Sequence, residues 1–282
     1  MKVILSRKGF DSENGGIPSP VFLNGDAVSL PIPSDIEKTT FADFQYEKIG
    51  YHEIFSELLG EYEFLYNSHC HFDPDIDGSR YVKKPKNWKP GFGQCSTSLS
   101  YLKNTVKIEP GDLFLFFGWF HFVEFDNQNL IKYIRKDPSY FLCHDFHLIW
   151  GYMQVGEILT DYKSKAKKLP WHPHSADYRN DDSYDDTIFV GSKHLSFAPD
   201  MPGAGILPFS DKRILTLEGK TKATWKYNKV YDPDHIIGSR KNSAKGDGIY
   251  YSGIWQELGL KESKAAEKWA KDMVLSKRVS FT

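Results

Sequence analysis

Apolar positions change their period along this chain, and each change predicts an element. Residues 113–123 read Leu-Phe-Leu-Phe-Phe-Gly-Trp-Phe-His-Phe-Val, a run too continuous for an amphipathic helix and typical of a strand buried on both faces. Residues 146–158 form a second long apolar run, a strand pair or a bent strand, with Gly151 and Gly156 inside it. Those two glycines, with Gly118, are placed where bends or bulges let a sheet curve. Shorter strand patterns fall at 2–6, 187–190, 214–217 and 224–231. Ile49, Phe55, Leu58 and Leu59 recur at roughly helical spacing and predict a helix over 47–60, ending at Gly60. Another helix is expected to start at Ser96 or Ser98. Ala265, Ala266, Trp269, Met273 and Val274 predict a C-terminal helix over about 261–276, docked on the sheet. The expected fold is therefore α+β, a curved or barrel-like and mostly antiparallel sheet with peripheral helices. No repeat, low-complexity tract or linker divides the chain, so a single domain over 1–282 is expected.

Composition narrows the classes. Phe, Tyr and Trp make up 15% of the 282 residues, which favours half-buried pleated surface. Lys plus Arg number 36 against 37 Asp plus Glu, so no global field draws the protein onto a phosphate backbone. Nucleic acid would have to be held by a local patch or with a partner's help. Cys70, Cys95 and Cys143 are odd in number and lack Cys-x-x-Cys spacing, which predicts no disulfide framework and a reducing, cytoplasmic setting. No apolar run approaches the ~18 residues of a membrane span, and residue 1 leads into a strand pattern rather than a signal segment.

The chemistry gathers in His69-Cys70-His71-Phe72-Asp73-Pro74-Asp75-Ile76-Asp77. In an extended chain alternate side chains share a face, so His69, His71 and Asp73 could converge on one ion while Cys70 and Phe72 turn into packing. Pro74 ends the strand and leaves Asp75 on a turn. His172 and His174, stiffened by Pro173, offer two more imidazoles. Imidazole with carboxylate oxygen suits a divalent metal such as iron, zinc or manganese. The competing reading is a turn whose aspartates only satisfy local amides. Asp11, with Arg7 and Lys8, follows the end of the first strand in a glycine-rich loop, where sites tend to sit. Lys83, Lys84, Lys86 and Lys89 around Trp88 could hold phosphate and stack a base. Lys163 to Lys168 is another basic run, and Asp181, Asp182, Asp185 and Asp186 read as a solvated acidic loop.

Two resemblances follow from these residues. The Gly111-Asp112 turn, the buried strand after it and the glycine-bent strand at 146–158 resemble the small barrels of the PUA-like superfamily, whose members often receive a single flipped or modified base. Several separated pieces also resemble the nucleotide modification associated domain family, third type. They are Ser6-Arg7-Lys8-Gly9-Phe10-Asp11-Ser12, Gly15-Gly16-Ile17-Pro18-Ser19-Pro20, Ser29-Leu30-Pro31-Ile32-Pro33, His71-Phe72-Asp73-Pro74-Asp75, residues 111–120, Gln154-Val155-Gly156-Glu157, His172-Pro173-His174 and Pro202-Gly203-Ala204-Gly205. This second resemblance implies a role in DNA base hypermodification, with a nucleobase or nucleotide in DNA and other base-modification proteins as partners; the lack of a long apolar run predicts no membrane partner. Two function classes stay open. In a metal-dependent enzyme, Asp11 and Asp75 would be the catalytic carboxylates, His69, His71, Asp73, His172 and His174 the metal ligands, and Arg7, Lys8, Trp88, Trp119 and Trp150 would contact base or nucleic acid. In a non-catalytic reader of a modified base, Trp119, Trp150 and Tyr152 would line an aromatic cage and the histidines would be structural.

Overall fold

The fold is that of a computed structural model, which describes residues 1–60, 68–180, 185–240 and 242–281. The strands that position the site are β1 (Val3–Arg7), β2 (Ser19–Phe22), β3 (Ile32–Pro33), β4 (Cys70–His71), β5 (Gly91–Cys95), β6 (Leu113–Phe125), β7 (Ile131–Tyr133), β8 (Phe146–Leu159), β9 (Asp186–Gly191), β10 (Ala204–Ile206) and β11 (Glu257–Leu260). The helices are α1 (Tyr51–Leu59), α2 (Ser96–Ser100), α3 (Tyr162–Lys168) and α4 (Lys264–Leu275). Nine of these strands make one sheet in the order β11-β1-β6-β8-β9-β5, with β10 paired to β8 and both β2 and β7 paired to β6.

The sheet is mixed, since β1 and β2 both run parallel to β6. The expected barrel is not found: among the described residues the strand path stays open, ending at β11 and β5. The long runs 113–123 and 146–158 are the central pair, and they are buried on both faces. Phe114, Phe116, Phe120 and Phe122 pack into one layer with Phe92 and Phe189. Leu113, Leu115 and Phe117 pack into the other with Trp225, Tyr251 and the Ala266, Ala270, Met273 and Val274 face of α4. The two-residue period of β6 thus supplies both layers at once. Register slips between Ile149 and Gly151 against β6, and between Val155 and Glu157 against β9. These are the bulges that the two glycines of β8 permit.

Helix α1 begins where Glu53 Oε2 accepts the Gly50 N–H and ends at Gly60, whose φ of 77° is left-handed. It buries Tyr51, Ile54 and Phe55 in a third cluster with Phe10, Phe41, Phe44, Cys70 and Phe72. Residues 214–217 form no full strand and make only isolated bridges to Leu148 and Trp225. The 224–231 run is a strand only over Thr224–Lys226 before it turns at Lys229–Tyr231. All three cysteines are free, and no described helix is long and apolar enough to cross a membrane.

The topology leaves a gap along one side of β6. β1 pairs with β6 as far as Phe117, and β2 resumes the pairing at Phe120. The intervening residues 8–18 therefore loop out beside Gly118 and Trp119. A cleft forms there, at the C-terminal end of β1.

Candidate metal centre

Three segments converge on this cleft, and each is placed by local bonding. β4 pairs with β3, His71 opposite Ile32, and the loop after β3 folds back on the same stretch: Ser34 N–H donates to the His69 carbonyl (3.0 Å) and Cys70 N–H to the Thr39 carbonyl (2.8 Å). That return brings Glu37 against His71, with Nδ1 of His71 2.8 Å from Oε1 of Glu37. Phe72 points the other way and stacks on Phe44 at 3.8 Å. Asp73 then faces β5, where the Gly93 N–H donates to its Oδ1 at 2.7 Å.

His174 arrives on a short turn, Pro173–Ser175, capped by the side chain of His172, whose Nδ1 accepts the His174 N–H at 3.2 Å. With Nδ1 accepting, neutral His172 carries its proton on Nε2, which lies 3.3 Å from Asp73 Oδ1. The glycines of β5 make room for this turn. A Cβ on Gly93 would stand 2.0 Å from Cδ2 of His174, and one on Gly91 would stand 2.7 Å from Leu169. Only a bare backbone lets the imidazole lie so close to the strand.

His71, Asp73 and His174 each offer a ligand atom, and these atoms lie within 4.8 Å of one another. The wiring behind them is more telling than the distance. His174 Nδ1 lies 2.9 Å from Asp186 Oδ1 and His71 Nδ1 lies 2.8 Å from Glu37 Oε1. A carboxylate can only accept, so each imidazole presents N–H at Nδ1 and a lone pair at Nε2. Neither Nε2 has a hydrogen-bond partner among the described residues. Carboxylate–histidine pairs of this kind orient metal-binding imidazoles.

The two supporting carboxylates are themselves joined through Arg179. Its Nη1 donates to Asp186 Oδ2 (2.9 Å) and its Nε to the Tyr178 hydroxyl (3.1 Å), which in turn donates to Glu37 Oε1 (2.8 Å). Electrostatics follow the same pattern. Burial works to raise Asp73, but the interactions with His172, His174 and Lys8 outweigh it and hold the carboxyl well below its usual range. Glu37 is also lowered, the hydrogen bonds from His71 and Tyr178 overcoming burial. Burial pushes His174 well below the ordinary imidazole value and keeps it neutral. Burial pushes Asp186 upward, against the opposing charges of Lys165 and Arg179. The cleft so formed has a volume of about 220 Å³ and is also lined by Arg7, Lys8, Asp11 and Gln94.

Of the residues expected from the sequence, the structure brings Arg7, Lys8, Asp11, His71, Asp73 and His174 to this cleft, with His172 behind Asp73. One Asp11 oxygen accepts from Glu13 N, Asn14 N and Asn14 Nδ2, and the other lies 3.5 Å from Arg7. The remaining residues lie elsewhere. His69 is exposed, because β4 is only two residues long and does not carry its face back to position 69. Asp75 is fully buried and accepts from Tyr81 Oη (2.7 Å), Trp88 Nε1 (2.9 Å) and Trp171 Nε1 (3.0 Å). Burial raises it to about 6 in spite of those donors. Trp88 therefore serves Asp75. Trp119 lies under Lys222, whose Nζ is 3.7 Å from the ring centroid. Trp150 and Tyr152 pack into opposite layers of the core, separated by the bulge in β8.

Sequence reasoning missed Glu37, Gly93, Arg179 and Asp186. It took Asp186 for part of a solvated acidic loop, yet the side chain is buried and 3.4 Å from Lys165, itself a buried member of the basic run in α3. Asp181 and Asp182, of the same expected loop, lie outside the described residues. The one available signal was the aspartate opening an apolar strand.

An open mixed sheet with a partly buried His–Asp–His cluster beside the gap between β1 and β2 along β6 defines an α+β protein whose chemistry is concentrated in one cleft. The chain belongs to the family nucleotide modification associated domain 3, whose model matches residues 2–270. The family's description ties it to nucleotide modification. Neither a curated protein nor a solved structure matches the chain.

Proposed function

We propose that the protein is a metal-dependent enzyme acting on a nucleobase or nucleotide in DNA base hypermodification. The observation that carries this reading is the paired wiring of His71 and His174: each gives Nδ1 to a buried carboxylate, and the two imidazoles and Asp73 offer ligand atoms within 4.8 Å of one another. Two imidazoles and one carboxylate are a ligand set for iron(II), zinc or manganese. An ion held there with an open coordination position supplies activation of water or binding of dioxygen. The chain's own residues do the rest. Glu37 and Asp186 fix the tautomer of each histidine, Asp73 stays ionised, and Arg7 and Lys8 offer positive charge to an anionic group on the substrate.

The reader alternative needs Trp119, Trp150 and Tyr152 in one cage, and the opposite packing of Trp150 and Tyr152 weighs against it. The test has two parts. Protein purified without chelator should carry bound metal by elemental analysis, and His71→Ala and His174→Ala should lose it with unchanged circular dichroism. DNA from cells producing the parent should contain a nucleoside, seen by mass spectrometry, that is missing with His174→Ala. Equal metal in all three proteins would remove the metal site, and identical nucleoside profiles would remove the DNA substrate.

A further inference from the structure

A second concavity, a groove of about 920 Å³, runs between residues 76–90 and 190–206. Its lining holds five charged side chains: Asp77, Glu157, Lys84, Lys89 and Lys193. Both acids are already engaged by cations outside the lining, Asp77 by Arg80 at 3.3 Å and Glu157 by Lys168. Among the described residues none of the three lysines has a carboxylate partner, and all three are exposed. The groove therefore presents three uncompensated positive charges, although the whole chain is close to neutral.

Trp88 in the groove wall has no face to give to a base. Lys84 Nζ lies over its ring at 4.8 Å, Gly78 is packed so closely that a Cβ there would come within 2.8 Å of Cδ2, and its N–H is held by Asp75. What the groove offers is charge, and the ligand that charge fits is a run of phosphates. It is also close to the metal cleft. Asp77 lines the groove and Asp73 the cleft, so at most about 14 Å of extended chain separates them. The two concavities stand on either side of one turn.

We propose that this groove holds the phosphodiester backbone of a single nucleic-acid strand whose target base enters the His71–Asp73–His174 cleft. The phosphate site stands on the charge balance, whereas the destination of the base rests on the function proposed above. A single strand is favoured because chemistry on a base needs it out of the stack, and a concave groove receives one strand more readily than the convex face of a duplex.

The test is fluorescence anisotropy of a labelled oligothymidylate with the full chain across a salt series, with bound metal measured in parallel. Three phosphate contacts predict a slope of log K against log salt of about −2. The triple variant Lys84→Glu, Lys89→Glu, Lys193→Glu should bind at least tenfold more weakly with a shallower slope and keep its metal. Lys107→Glu, Lys261→Glu, Lys264→Glu, with the same change in net charge at exposed positions outside the lining, should bind nearly as the parent does. Equal losses in the two triples, no binding by the parent at low salt, or a duplex bound as tightly as the single strand would each overturn the proposal. A parent that carries no metal when purified without chelator, yet binds the strand, would overturn the metal reading and leave the groove standing.

Discussion

Asp73 and Asp75 are two residues apart in the same turn, and the protein treats them in opposite ways. Asp73 takes one backbone N–H and lies beside His172, His174 and Lys8, which hold its carboxyl well below the usual range against the effect of burial. Asp75 is closed in by two indoles and a phenol, and burial raises it to about 6. In an extended chain both would lie on one face with His71. The turn at Pro74 sends Asp75 into the core among Tyr81, Trp88 and Trp171 instead. Residue type nominated both as candidate site groups; their partners, all supplied from distant segments, give one an opening toward the cleft and make the other a hub of the fold.

The largest effect should come from breaking the hub. Asp75→Ala would leave the Trp88, Trp171 and Tyr81 donors buried without their acceptor, at about 1–3 kcal/mol each. A loss of about 3 kcal/mol or more is expected, read as a lower denaturant midpoint. Asp73→Asn keeps an acceptor for Gly93 N–H but removes the charge, so it should cost bound metal while moving the midpoint far less. If the two variants lost stability equally, the contrast between the aspartates would fail.

A second pair sharpens the same point. His147 and His174 are both buried and both depressed by that burial, His147 to about 3 with further help from Lys222 and Arg7. Their hydrogen bonds differ in direction. His147 Nδ1 accepts the Trp225 indole N–H at 2.9 Å, so the protein itself uses the lone pair that His174 keeps for the cleft. Because its folded pKa lies below the unfolded value near 6.5, His147 contributes stability that is fully present above pH 6.5 and is lost as pH falls toward 3. By pH 4.5 the loss should be on the order of 3 kcal/mol. Denaturant unfolding at a series of pH values should show this slope in the parent and a flatter one in His147→Asn, which keeps an acceptor for Trp225. An unchanged slope would show that other groups set the acid sensitivity.

How much of this was legible beforehand depends on range. The buried pair of long strands was readable because each lies within one stretch of sequence and its pattern is local. So was the candidacy of His71, Asp73 and His174, since His-x-Asp and His-x-His spacing is local too. The register shifts fell where glycine allowed them. What could not be read is everything set by convergence. Lys165 and Asp186 sit in runs of like charge that local composition assigns to solvent, yet α3 and β9 bury them against each other. Glu37 has no distinguishing neighbours and acquires its role only because the loop after β3 returns along β4. The open sheet also depends on long-range pairing: glycine bends are compatible with a barrel, but the parallel additions of β1 and β2 to β6 produce an edge with a gap.

The smallest expected effect tests whether that convergence matters to the cleft or only to packing. Glu37→Gln preserves an acceptor for His71 Nδ1–H and the Tyr178 hydroxyl, removing the charge and little volume. If Glu37 only fills space, metal affinity should not change. If it orients His71 and raises the basicity of its Nε2, affinity should fall by about tenfold, the lower end of what such supporting carboxylates contribute. Asp186→Asn should behave alike at His174, with an added stability cost, because Arg179 and Lys165 would face a neutral amide while buried. Competition titration against a chromophoric chelator resolves a tenfold change. Since Arg179 links the two carboxylates, the double variant should lose less than the sum of the single losses; strict additivity would mean that the two histidines are positioned independently and that the Arg179 link carries no coupling between them.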